Sequence, residues 1–122
     1  MAGEQRIDPD AFERETLAQL GMPAEIVMRH RTPHFLHVFA GDGYSAGYYS
    51  YLWSDVLTAD AAEAFTEAGG FYDPAVAARL REAIFKVGNT VDPAEGYRAF
   101  RGRDASVDAL MRKRGFPVAP QP

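Results

Sequence analysis

Four of the six tyrosines, three of the eleven glycines, one of the three histidines and the only tryptophan fall within residues 35–53. The string reads Phe-Leu-His-Val-Phe-Ala-Gly-Asp-Gly-Tyr-Ser-Ala-Gly-Tyr-Tyr-Ser-Tyr-Leu-Trp. Phenol and imidazole groups can donate hydrogen bonds. A neutral Tyr hydroxyl can serve a developing oxyanion without the desolvation cost of a charge. Gly41-Asp42-Gly43 is a turn by composition and lies directly beside them. The group suits a surface that donates hydrogen bonds to a ligand. Its plain alternative is packing, since a buried Tyr more often stacks its ring and bonds a nearby carbonyl. Core packing is the expectation for Tyr48, Tyr49 and Trp53, while His37, flanked by Phe35 and Phe39, fits either role.

Other chemistries fare worse. His30, His34 and His37 have the spacing H-x3-H-x2-H, which on one helix would gather three imidazoles around zinc. Pro33 lies inside that string and breaks the helix it needs. Gly41-Asp42-Gly43 lacks the Gly-Lys-Ser/Thr of a phosphate loop. Ser45, Ser50 and Ser54 have no Gly-x-Ser-x-Gly setting that would make one a nucleophile.

The 122-residue length allows one domain or a piece of one, spanning residues 1–122. A 47% hydrophobic and 25% charged composition is that of a globular protein. With a net charge of −4 and no dense basic patch, nucleic acid is not an expected partner. Arg101-Gly-Arg103 and Arg112-Lys-Arg114 are expected to cap helix ends or stay solvated. No cysteine is present, which removes disulfides and thiolate metal sites. No apolar run approaches the ~20 residues of a membrane span, and residues 1–6 carry no secretory signal. The expectation is a soluble, cytoplasmic protein.

The elements that must position these groups read as almost entirely helical, an all-α, bundle-like chain with a Gly-rich loop and little or no sheet. Asp8-Pro9, Asp73-Pro74 and Asp92-Pro93 each pair an N-cap acceptor with a residue that lacks the orphan N–H. They predict helices over 8–20, with Phe12, Leu17 and Leu20 inward, over 74–87 and over 93–100. A shorter helix is predicted from Met22-Pro23 to His30 and another over 107–114, with Gly21 and Gly115 as C-terminal closures. His34–Phe39 is either a short extended segment or a loop. A long helix is predicted over 45–68, ended by Gly69-Gly70. On it, Tyr49, Leu52, Trp53, Val56 and Ala64 share one apolar face, and Tyr44, Tyr48, Tyr51 and Asp55 share another. The Pro-rich tail from Pro117 is expected to fray.

Phe35-Leu-His37 followed by Gly43-Tyr-Ser-Ala-Gly-Tyr-Tyr-Ser-Tyr-Leu-Trp53 strongly resembles the C-terminal signature of the thimet-oligopeptidase family of zinc metallopeptidases, especially its peptidyl-dipeptidase branch. Asp10-Ala-Phe12, Leu20-Gly-Met-Pro23, Trp53-Ser-Asp55, Ala62-Glu-Ala-Phe65 and Phe100-Arg-Gly-Arg103 extend the resemblance over about residues 8–117. It implies a largely helical, two-lobed peptidase with a deep channel. There, zinc is held by two His of His-Glu-x-x-His and a later Glu, and the motif Glu is the general base. No His-Glu-x-x-His occurs in this sequence, so the resemblance implies no cofactor held by this chain and zinc in the full-length family. The matched segment would form the opposite wall of the cleft. By matching position, Tyr51 and His37 would be catalytic, stabilising the tetrahedral intermediate. Tyr44, with Gly41 and Gly43 in the loop, would bind the peptide. Two readings follow. One is the substrate-binding part of a zinc peptidyl-dipeptidase or oligopeptidase that acts on short peptides, inactive alone, with self-association or a complementary N-terminal fragment as partner. The alternative is a stand-alone helical binding or assembly module.

Overall fold

The computed structural model describes residues 6–118, so the expectations for residues 1–5 and for the end of the Pro-rich tail lie outside it. The chain divides into two compact units, Met1–Tyr48 and Tyr49–Pro122. Among the described residues every regular element is helical, as the composition and periodicity predict, and no helix is long and apolar enough to cross a membrane.

The first unit begins with α1, Pro9–Gln19. The Asp8 carboxylate accepts from the backbone N–H groups of Asp10 and Ala11 at 2.9 and 3.2 Å. Gly21, with φ of 72°, closes the helix, and Met22 N–H reaches back to the Leu17 carbonyl at 3.0 Å. The inward face is not as predicted: Leu17 is half-buried, but Phe12 and Leu20 are exposed. No second helix forms over residues 22–30. There a lone turn bonds Ile26 N–H to the Pro23 carbonyl, and Ile26 and Val27 are exposed. Short helices are marginal without a packed face, and adjacent β-branched residues weaken this one further. The segment is instead pinned by Arg31, which donates to Asp10 and to both oxygens of Glu13. Residues 34–39, expected extended or looped, form the end of a 3-10 turn, Thr32–His34, and one helical turn, α2, Leu36–Phe39. Pro33 presets the backbone for that turn.

The second unit opens with α3, Ser50–Glu67. It starts five residues later than the predicted Ser45, because 42–49 is a run of turns. Gly43 and Gly47 weaken helix here, each by roughly 1 kcal/mol relative to Ala. Gly69 and Gly70 end α3 with positive φ, and Gly70 N–H bonds the Phe65 carbonyl. α4, Pro74–Leu80, runs into a π turn, Arg81–Phe85. α5, Pro93–Arg101, and α6, Val107–Lys113, complete the unit. The Asp73 and Asp92 carboxylates cap α4 and α5, each accepting two backbone N–H bonds of 2.8–3.2 Å.

Among the described residues, every fully buried apolar side chain belongs to this second unit. Ala59, Ala109 and Leu110 join α3 to α6, flanked by Val56 and Met111. Ala64, Val76 and Phe100 join α3, α4 and α5, flanked by Phe65, Leu80 and Ile84. Small residues allow the close approaches: a Cβ on Gly96 would stand 3.0 Å from the Ala83 carbonyl oxygen of the π turn.

Candidate functional site

In the first unit, α2 and the turns after it bring five rings into one cluster. The His37 imidazole meets the Tyr44 ring edge-on, with centroids 4.7 Å apart and planes at 88°. Tyr48 stands 5.5 Å from His37 and 6.3 Å from Tyr44, also edge-on. Phe35 supports both, 4.9 Å from Tyr48 and 6.2 Å from His37, and it stacks on His30 at 4.9 Å. Edge-to-face contacts of this kind contribute about 0.5–1.5 kcal/mol each beyond area burial. They fix ring orientation in a unit that has no fully buried side chain among its described residues.

His37 and Tyr44 are therefore brought together, and both remain exposed to solvent. Tyr51 belongs to the second unit, in the first turn of α3, and is likewise exposed. Gly41 and Gly43 flank Asp42, whose carbonyl accepts from the Ser45 hydroxyl at 3.0 Å. Neither glycine has positive φ, and a Cβ on either would meet nothing within 4 Å. The fold of the described chain does not require glycine at these two positions.

The core expectation fails at all three residues. Tyr49 and Trp53 are 72% and 67% exposed, because burial along α3 begins only at Val56. The described unit has no element covering the first turns. Tyr48, exposed to the same degree as Tyr44, contributes its ring to the cluster above. Among the described residues, no group of three or more His, Cys, Asp or Glu is placed to hold a metal, the three histidines included. The described residues do not fit a zinc site.

Sequence reasoning missed the most buried polar group. Asp60 on α3 is fully buried and accepts from the Tyr97 hydroxyl at 2.6 Å, Arg103 at 2.6 Å and Arg101 Nε at 3.3 Å. Arg101 also forms a two-pronged pair with Glu67, both contacts at 2.6 Å. Arg112 pairs with Glu63 and Arg114 with Asp55. These arginines line up along the acidic side of α3; Arg101, 8% exposed, departs from the expectation that they cap helix ends or stay solvated, while Arg103, Arg112 and Arg114 stay 44–48% exposed. Burial pushes the Asp60 carboxyl up, but the Tyr97 and Arg103 hydrogen bonds and the two guanidinium charges hold it below 3.8. Burial and the same hydrogen bond push the Tyr97 phenol well above its usual range. The signal was readable: Asp60 lies one turn from both Val56 and Ala64, inside the stripe that packs.

Each unit also has an open apolar cavity. That of the second, about 450 Å³, is lined by Leu57, Ala61, Leu80, Ile84, Tyr97 and Phe100 among others. That of the first, about 480 Å³, is lined by Ile7, Phe12, Leu17, Met28 and Phe39 among others. Neither contains His37, Tyr44 or Tyr51.

A family model described as Peptidase family M3 matches residues 5–116. The chain belongs to peptidase family M3. Within that family it is similar to Oligopeptidase A of Haemophilus influenzae, 46% identical over 87 residues, covering 70% of this chain and 12% of that protein. The dipeptidyl carboxypeptidase of Salmonella typhimurium is 40% identical over 107 residues, 86% of this chain and 15% of that protein. Oligopeptidase A of Escherichia coli is 40% identical over 117 residues, 93% of this chain and 17% of that protein. The chain thus spans about one-eighth to one-sixth of the length of these relatives. Relatives named oligopeptidase A and dipeptidyl carboxypeptidase both match this chain.

Proposed function

We propose that this chain supplies the substrate-facing wall of an M3 peptidase that hydrolyses short peptides. The observation that carries the reading is the His37–Tyr44 pair: two hydrogen-bonding rings held edge-on at 4.7 Å, exposed, beside a loop whose glycines the fold does not demand. A peptide backbone approaching Gly41 and Gly43 would meet no Cβ, so it could reach the loop's own N–H and C=O groups. Tyr44 would hold that backbone, and His37 and Tyr51 would donate to the carbonyl oxygen as it gains charge. A donor fixed in advance at such an oxygen typically contributes a factor of about 10² to 10³ in rate. Zinc, where the complete enzyme carries it, supplies activation of the attacking water. On this reading the metal ligands would come from another part of the M3 polypeptide, and this chain would provide the peptide-holding side, in keeping with the lack of a His-Glu-x-x-His in its sequence.

The exposed Tyr49, which precedes α3, and Leu52 and Trp53 on it favour a partner surface, supplied by self-association or by the zinc-binding part of an M3 polypeptide. The decisive test places this segment in a complete, zinc-loaded M3 enzyme. Tyr51→Phe preserves the ring, so folding changes little, while kcat falls by about 10² to 10³. Tyr44→Phe acts comparably if it shares the oxyanion, or on KM if it only holds the backbone. Tyr49→Phe is the control and leaves turnover nearly unchanged. Equal, small effects at all three would remove the assignment.

A further inference from the structure

Three glycines occupy residues 41–47, and close approach requires only one of them. We propose that Gly47 is the positioning residue of the His37–Tyr44 pair. A Cβ on Gly47 would stand 3.0 Å from the Gly43 carbonyl oxygen and 4.0 Å from Tyr44 Cα. Even a weak C–H···O contact keeps carbon and oxygen about 3.3–3.6 Å apart, so the added carbon must displace its neighbour. That neighbour is backbone. The Gly43 carbonyl cannot turn aside alone, because the planar peptide carries the Tyr44 N–H with it. The turn is already closed on both sides, by Gly47 N–H donating to the Tyr44 carbonyl at 3.3 Å and by Ser45 Oγ donating to the Asp42 carbonyl at 3.0 Å. Relief therefore moves the Tyr44 backbone, and with it the ring that meets His37. Gly41 and Gly43 are the opposite case, since a Cβ on either meets only open space. The importance of this pair for peptide binding rests on the proposed function; the geometry of Gly47 does not.

The test is nuclear magnetic resonance on the 122-residue chain, so it fails or succeeds independently of any activity measurement. The native chain should show cross-relaxation between the His37 and Tyr44 rings. Gly47→Ala should shift the His37 imidazole resonances and weaken that cross-relaxation, while the Leu110 methyls of the second unit stay in place. Gly41→Ala and Gly43→Ala should leave the His37 ring resonances where they are. The inference is overturned if Gly47→Ala shifts them no more than Gly43→Ala does. It is also overturned if the native rings show no cross-relaxation. Loss of all dispersed resonances from the first unit in Gly47→Ala would overturn it too, since the glycine would then serve folding at large rather than one ring pair.

Discussion

Replacing Asp60 tests whether the second unit is organised around its buried carboxylate. Asp60→Asn keeps the shape but removes the charge that Arg103 and Tyr97 approach to 2.6 Å. Arg101 keeps its two contacts with Glu67, and Arg103, half-exposed, keeps the Asp104 carbonyl at 2.8 Å. The main loss is one charge-assisted hydrogen bond, about 1.5–3 kcal/mol. Asp60→Ala also removes the carboxylate's acceptors altogether, leaving the half-buried Tyr97 hydroxyl with only the Leu57 carbonyl at 3.3 Å and Arg101, 8% exposed, with only Glu67, so the expected cost rises to about 3–5 kcal/mol. Urea unfolding at pH 7, with an unchanged dependence on denaturant, measures both. Acid adds a sign. The folded-state value lies below the ordinary 3.8, so the stabilisation is fully present above that value and lost as pH falls through the depressed one. The gap between native and Asp60→Asn chains should therefore be constant from neutral pH down to about 5 and close below it. Two variants within about 0.5 kcal/mol of the native chain would refute the reasoning.

Three further outcomes are expected. Gly96→Ala forces a methyl to 3.0 Å from the Ala83 carbonyl, and thermal unfolding should reveal a loss of about 1–3 kcal/mol, whereas an unchanged or higher midpoint would mean the π turn gives way freely. The 122-residue chain alone should not cleave peptides, since it carries no His-Glu-x-x-His; chelator-sensitive cleavage by pure material would contradict this. Sedimentation should show concentration-dependent association that weakens in Trp53→Ser, because Trp53 and Leu52 are exposed side by side; a clean monomer at high concentration would count against a partner surface there.

What could be read from the sequence was local. Asp8, Asp73 and Asp92 each cap the helix they were expected to start, because an Asp-Pro pair acts within three residues. Gly21, Gly69 and Gly115 close helices for the same reason. Periodicity overreached where nothing packs: it extended α3 back to Ser45 and turned Tyr49 and Trp53 inward, although no described element of that unit covers its first turns. It also gave residues 22–30 a helix that Ile26 and Val27 cannot bury. His37, Tyr44 and Tyr51 were named by resemblance, and only the structure adds that Phe35 and Tyr48 hold the first two in place. Asp60 was visible as a charge inside an apolar stripe, but its partners lie 37 to 43 residues away, beyond the reach of any local rule.

That separation has a consequence during synthesis. Asp60 emerges well before Tyr97, Arg101 and Arg103, and at about 5–20 residues per second the interval is roughly 2–9 seconds. Over that time α3 can coil and α4 can form, but Asp60 cannot be withdrawn from water without its cations. The nascent second unit must stay open, its carboxylate hydrated, until the stretch after α5 leaves the ribosome. Arg103 then acts as the last fastener. A chain halted before Tyr97 would hold Ala64 and Val76 of the apolar cluster and none of the donors that meet Asp60.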